Sequence, residues 1–122
     1  LIVMSDASTH DPQLLKGLLS FVLLQLLAEE ESYGYDVVSR LQQAGIEVLE
    51  GTVYPALARL EREGRLSSRL VASHSGPARK YYRPTPEGYA ELERGARSWR
   101  ALTKTVGTVL DRPVPDHPKE GL

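Results

Sequence analysis

Residues 14–28 read LLKGLLSFVLLQLLA, and they restrict the fold more than any other segment. Leu14, Leu15, Leu18, Leu19, Val22, Leu23, Leu26 and Leu27 recur at spacings of three and four, so they form a helix that is apolar on more than one face. Such a helix has to be covered from two sides, by its own domain and by a second subunit. Lys16, Ser20 and Gln25 interrupt the run, which is also too short to cross a bilayer. Asp11 and Pro12 supply a capping carboxylate and a proline at the first helical position. One helix is therefore expected from there to about Glu29.

A chain of 122 residues suits one compact domain with a modest core. With 41% hydrophobic and 25% charged residues, it has the balance of a folded protein rather than a disordered one. The absence of cysteine excludes disulfides, thiolate metal sites and a cysteine nucleophile, and makes the cytoplasm the expected compartment. No basic segment with a cleavage site precedes the leucines, so no signal peptide is expected. His10, His74 and His117 lack metal-ligand spacing, and no cofactor is expected. No phosphate-cradling glycine loop and no Ser, His and acid set is evident, so no enzyme is inferred. Glu29–Glu31 read as a solvated linker whose charge favours the start of the next helix.

That next helix is expected to be capped by Ser32, to bury Val37, Val38, Leu41 and Ala44, and to stop at Gly45. A third short helix carries Val53, Leu57 and Leu60 in one stripe. The segments RLSSRLVAS and ARKYYRPT, separated by HSGP, lose the helical period and read as a β-hairpin with Gly76-Pro77 as its turn signal. Thr85-Pro86 then opens a long helix in which Tyr89, Leu92, Ala96, Trp99, Thr103, Val106 and Leu110 form a seam suited to a helix partner. The tail DRPVPDHPKEGL has no apolar period and is expected to be disordered. The resulting fold class is mainly α with a small β-hairpin: a winged helix-turn-helix followed by a long C-terminal dimerisation helix. Its expected parts are a flexible N-terminus (1–10), a DNA-binding domain (11–85), the dimerisation helix (86–110) and the tail (111–122).

The net charge of -1 argues at first against a nucleic-acid partner, but distribution matters more. Between Arg65 and Thr85 there are Arg65, Arg69, Arg79, Lys80 and Arg83 and no acid, so a basic edge is expected on a near-neutral protein. The third helix, EGTVYPALARLEREG, has a proline in its second turn. With Val53, Leu57 and Leu60 inward, about 100° per residue turns Thr52, Pro55, Arg59 and Arg62 outward and leaves Tyr54 on the flank. Pro55 removes the amide that would serve the Gly51 carbonyl, a cost borne by the first turns. The alternative is a helix that begins at Pro55, with Tyr54 as ordinary core.

These motifs resemble the PadR family of transcriptional regulators, of the kind with a short C-terminal region, over roughly Leu14 to Leu110. YGYDVVSRL is similar to the family's second-helix motif, GTVYPALARLEREG to its recognition-helix motif and RKYYRPTPEG to its second wing strand. The resemblance implies double-stranded DNA as partner, with contacts from Tyr33 and Tyr35 beside Gly34, from Gly51, Thr52, Tyr54, Pro55 and Arg59, and from Arg79 and Lys80 beside Tyr82 in the wing. It also implies a homodimer, repression more often than activation, and a last helix packed on the partner's first, with Leu15, Leu19, Leu92, Ala96, Trp99, Val106 and Leu110 at the seam. Two positions depart from the pattern. Glu50, with Glu47, places negative charge near the phosphates, and Pro84 is expected to end the wing strand early.

Trp99 has two readings: the largest apolar knob of the dimer seam, or, by the resemblance, a platform for a small aromatic effector. A rival for the whole chain is a winged-helix module that binds protein without DNA, which Glu47, Glu50, Glu61 and Glu63 permit.

Overall fold

The leucine-rich segment supplies the central helix. The computed structural model describes residues 11–116. Its elements are α1 (Pro12–Lys16), α2 (Leu19–Glu29), β1 (Ser32–Tyr33), α3 (Gly34–Gln43), α4 (Glu50–Arg62), β2 (Leu66–Ser73), β3 (Gly76–Pro84) and α5 (Pro86–Leu110). Leu23, Leu24 and Leu27 of α2 are sealed from solvent among Val37, Val38 and Leu41 of α3, Val53, Ala56, Leu57 and Leu60 of α4, Leu66, and Tyr82. Each fully buried leucine contributes about 1.5–3 kcal/mol by leaving water.

The single helix expected from Pro12 to Glu29 is two. It breaks at Gly17-Leu18, where Leu18 donates to the Leu15 carbonyl at 2.9 Å and its own carbonyl accepts from Phe21 and Val22 at 3.1 Å. Gly17 has the least to hold a helix together at that point. Ser32 is likewise not a helix cap. The residue before α3 is Tyr33, with no side-chain capping bond. Ser32 pairs in β1 with Tyr82, and its buried hydroxyl accepts from Arg40 at 2.7 Å. Arg40 also donates to the carbonyls of Glu30 at 2.9 Å and Leu26 at 2.7 Å, closing the end of α2.

Helices α3 and α4 end the same way. Gly45 and Gly64 have φ of 87° and 80°, a region open to glycine at no steric cost. Gly45 donates to Gln42 and Ile46 to Leu41, and Gly64 donates to Glu61 and Arg65 to Leu60. Each is a Schellman closure, and the stop expected at Gly45 is observed.

The hairpin belongs to an antiparallel sheet of three strands in the order β1-β3-β2. Its turn falls at His74-Ser75, with Ser73 opposite Gly76, so Gly76-Pro77 opens the return strand rather than forming the turn. Strand β3 is not cut short by Pro84, which is its last residue, lies opposite Leu66 and is buried. Proline is tolerated at a strand end, where no further ladder amide is needed.

Helix α5 begins as its sequence suggests. The Thr85 side chain accepts from the Gly88 amide at 3.0 Å and donates to the Gly64 carbonyl at 2.6 Å, with Pro86 in the first turn. Residues 111–116 are neither helix nor strand, and the expectations for residues 1–10 and 117–122 lie outside the described residues. Because Thr85 joins the cap of α5 to the loop after α4, Thr85→Ala is expected to cost about 1–2 kcal/mol and Thr85→Ser much less. Urea denaturation of the two variants measures this; equal losses would show that the hydroxyl carries none of it.

Candidate nucleic-acid interface

Helix α4 starts at Glu50, so Pro55 lies inside it and the alternative start at Pro55 does not hold. Gly51 is exposed, which leaves its carbonyl open to water where Pro55 offers no amide. Val53, Ala56, Leu57 and Leu60 are buried. Ala56 joins the inward stripe and turns the outermost line to Gly51, Pro55, Ala58 and Arg62, all exposed. Thr52 and Arg59 are exposed as well but lie toward one flank, where Arg59 donates weakly to Ser20 of α2 at 3.4 Å.

Tyr54 occupies the other flank, 41% exposed, with its ring against Gly34. Any Cβ at position 34 would strike that ring, so the glycine at the start of α3 is the socket for Tyr54. Partial burial is the main cause raising the Tyr54 phenol above its usual value, followed by Glu50, Tyr35 and Tyr33. Tyr35 is exposed. Tyr33 lies in the sheet, its ring 5.3 Å from that of Tyr81, and the Arg79 guanidinium stands 4.5 Å from the Tyr33 ring centroid. Tyr33 and Tyr81 thus meet within the sheet, while Tyr54 packs on the first residue of α3.

Arg79 and Lys80 are adjacent in sequence but point to opposite faces of β3, as the strand period requires. Arg79 shares a face with Tyr81 and with Tyr33 of the neighbouring strand. Lys80 faces α4, where its ammonium is 2.9 Å from Glu61 and 5.5 Å from the Tyr82 ring centroid. The acid-free stretch after Arg65 is paired by acids from elsewhere: Arg69 with Glu31, Lys80 with Glu61 and Arg65 with Glu91 at 3.4 Å. The Glu31 carboxyl is held below its usual value chiefly by the Arg69 hydrogen bonds. Hydrogen bonding by Ser68 and then Lys80 does the same for Glu61. Sequence reasoning missed these pairings because Arg69 and Lys80 are distant along the chain from Glu31 and Glu61, and Ser68 meets Glu61 only across the turn from α4 into β2. The alternation of β3 was the one available signal that Lys80 and Arg79 part company.

Away from these residues, α1, α2 and α5 line an apolar groove of about 600 Å³. Leu15, Leu92, Ala96 and Trp99 line it together with Leu18, Val22 and Leu26. Leu19 does not belong to this face, being 5% exposed and packed in the subunit core. Beyond the groove, α5 leaves Leu102, Val106, Val109 and Leu110 exposed.

The model of the Transcriptional regulator PadR-like family matches residues 23–94, from α2 through the wing into α5. The chain belongs to the PadR-like family. A transcriptional regulator of Mycobacterium tuberculosis is 38% identical over 86 residues, which are 69% of this chain and 78% of that protein. A PadR-like transcriptional regulator from Bacillus cereus superposes with a TM-score of 0.74 at 38% identity, covering 83% of this chain and 99% of the other. A PadR family regulator from Eggerthella lenta gives 0.78 at 33% identity, over 93% and 100% of the two chains. The PadR-like chain is accordingly a transcriptional regulator with a winged helix-turn-helix of the DNA-binding kind. No helix among its described residues is long and apolar enough to cross a membrane.

The depressed Glu61 carboxyl makes the docking of the wing pH-dependent. A group whose folded-state pKa lies below its unfolded value stabilises fully above the unfolded value and loses that contribution as pH falls through the folded one. The stability difference between wild type and Glu61→Gln is therefore expected to be constant near neutrality and to close as pH drops below the usual 4.5. Urea midpoints measured from pH 7 downward check this; a gap that widens in acid would contradict the assignment.

Proposed function

We propose that the protein is a repressor that acts as a homodimer on a roughly palindromic operator, with α4 of each subunit in the major groove and the wing on the flanking backbone. The outward face of α4 carries this reading. Gly51, Thr52, Pro55, Arg59 and Arg62 are exposed on a helix whose other side is sealed in the core, and Tyr54 borders them. Gly51 lets the start of the helix approach phosphate closely. Arg59 and Arg62 can grip phosphate or guanine, while Tyr33, Tyr35 and Arg79 extend the surface toward the sheet. Residues 11–85 form the DNA-binding unit in this reading, and it works in the cytoplasm, where the operator is.

The groove and the exposed seam of α5 support pairing of two copies. Trp99, at 47% exposure, and Val106, at 41%, are large apolar surfaces that a second subunit would cover. In that arrangement α5, residues 86–110, sets the distance between the two α4 helices. A small aromatic effector stacking on Trp99 would act by altering that distance. Titrating aromatic compounds against Trp99 fluorescence and DNA release tests this, and silence across a broad panel would remove the effector.

A second reading, a module that binds protein and not DNA, draws on the ion pairs that occupy Arg65, Arg69 and Lys80. Retention on random-sequence duplex at low salt separates the two readings. Arg79→Gln is expected to weaken binding to every duplex and to lower the slope of log affinity against log salt by about 0.9 per subunit. Tyr54→Phe or Arg59→Gln should in addition change which sequences are selected from a random pool. An unchanged slope in Arg79→Gln would remove the wing from the interface. Sedimentation should show a dimer, which Trp99→Ala weakens by about 2 kcal/mol; a wild-type monomer would refute the pairing.

A further inference from the structure

Of the side chains on α4, Glu61 alone ties the helix to the wing through both oxygens of its carboxylate. Oε2 accepts from the Ser68 hydroxyl at 2.5 Å, and Oε1 lies 2.9 Å from the Lys80 ammonium. Ser68 belongs to β2 and Lys80 to β3, so one carboxylate spans both strands of the hairpin. Lys80 is held a second time by the face of Tyr82 at 5.5 Å, and Tyr82 is itself anchored in the core. An isolated surface pair is worth little, but this one is fixed at three points.

If Lys80 turned to a phosphate, the Glu61 carboxylate would be left beside a polyanion with only the neutral Ser68 hydroxyl to answer it. The attraction gained at the ammonium would be opposed by repulsion at the carboxylate. Resting on the DNA-binding reading above, we propose that Glu61 is a specificity-determining positioning residue: it keeps Lys80 out of the phosphate contacts and fixes the wing to α4, restraining sequence-independent affinity. The clamp on the backbone then consists of arginines on the other face of the sheet and on α4, and Lys80 is a structural cation despite its place in a basic run.

Counting the phosphate charges neutralised tests the idea directly, because each contributes about 0.9 to the slope of log affinity against log salt. The measurement uses the full chain and one random-sequence duplex, with wild type, Glu61→Gln, Lys80→Gln and the double variant. Glutamine keeps the volume of glutamate and still accepts from Ser68. Glu61→Gln is expected to bind more tightly and to steepen the slope by about 0.9 per subunit, because Lys80 is released. The double variant, which removes a neutral pair, should return to the wild-type slope, and Lys80→Gln alone should bind more weakly than the double variant.

An unchanged slope in Glu61→Gln would show that Glu61 is not what keeps Lys80 from phosphate, and a double variant flatter than wild type would show that Lys80 already contacts it; either would overturn the proposal. A wild-type measurement covers the case in which a variant does not fold. Lysine acetylation followed by mass spectrometry should find Lys80 equally reactive with and without duplex, and protection of Lys80 would count against the proposal. A wild-type chain that binds no duplex at low salt would instead sink the DNA-binding reading, and this inference with it.

Discussion

Everything in this fold answers to the shortage of polar surface on α2. Leu23, Leu24 and Leu27 leave one side of that helix no choice but the interior, and α3 and α4 supply the apolar residues that cover it. Val22 and Leu26, with Leu18 just before the helix, make the other side nearly as apolar, and α5 comes to lie there with Leu92 and Ala96. Once α2 is placed, Val53, Leu57 and Leu60 have one direction in which to be buried. The outward face of α4 is what remains, so the surface proposed to meet DNA follows from the burial of leucines in the core.

Periodic segments were legible and pairings were not. The stripe of α4 and the threonine-proline opening of α5 depend on residues within a turn or two of each other, and both elements occur where their sequences indicate. Strand β1 has two residues, too few for a period, and Ser32 there looks like a helix cap because serine prefers that role when only its neighbours are considered. Its pairing with Tyr82 and its bond from Arg40 decide otherwise. The break at Gly17 was hidden for the opposite reason, since a leucine pattern strong enough to suggest one helix continues across it.

Charge shows the same division between local and distant information. The run from Arg65 to Arg83 is acid-free along the chain, yet Glu31 before β1, Glu61 of α4 and Glu91 of α5 reach it. A basic stretch in sequence is therefore a weaker statement about surface potential than its composition suggests. The alternation of side chains in β3 separates Arg79, stacked on Tyr33, from Lys80, which is exposed but paired with Glu61 beside the Tyr82 ring. Two neighbouring cations acquire different chemistry from a difference of one residue.

Helix α5 meets α2 most intimately at Gly95, where any Cβ would collide with the Phe21 ring. Past that point its residues are almost all exposed, and at about 1.5 Å per residue the portion from Ala96 to Leu110 projects some 20 Å. The glycine therefore sits at a fulcrum. A tilt of a few degrees about the Phe21 ring displaces the far tip by an ångström or more, so whatever reshapes that small contact moves the distal end much further than it moves the body.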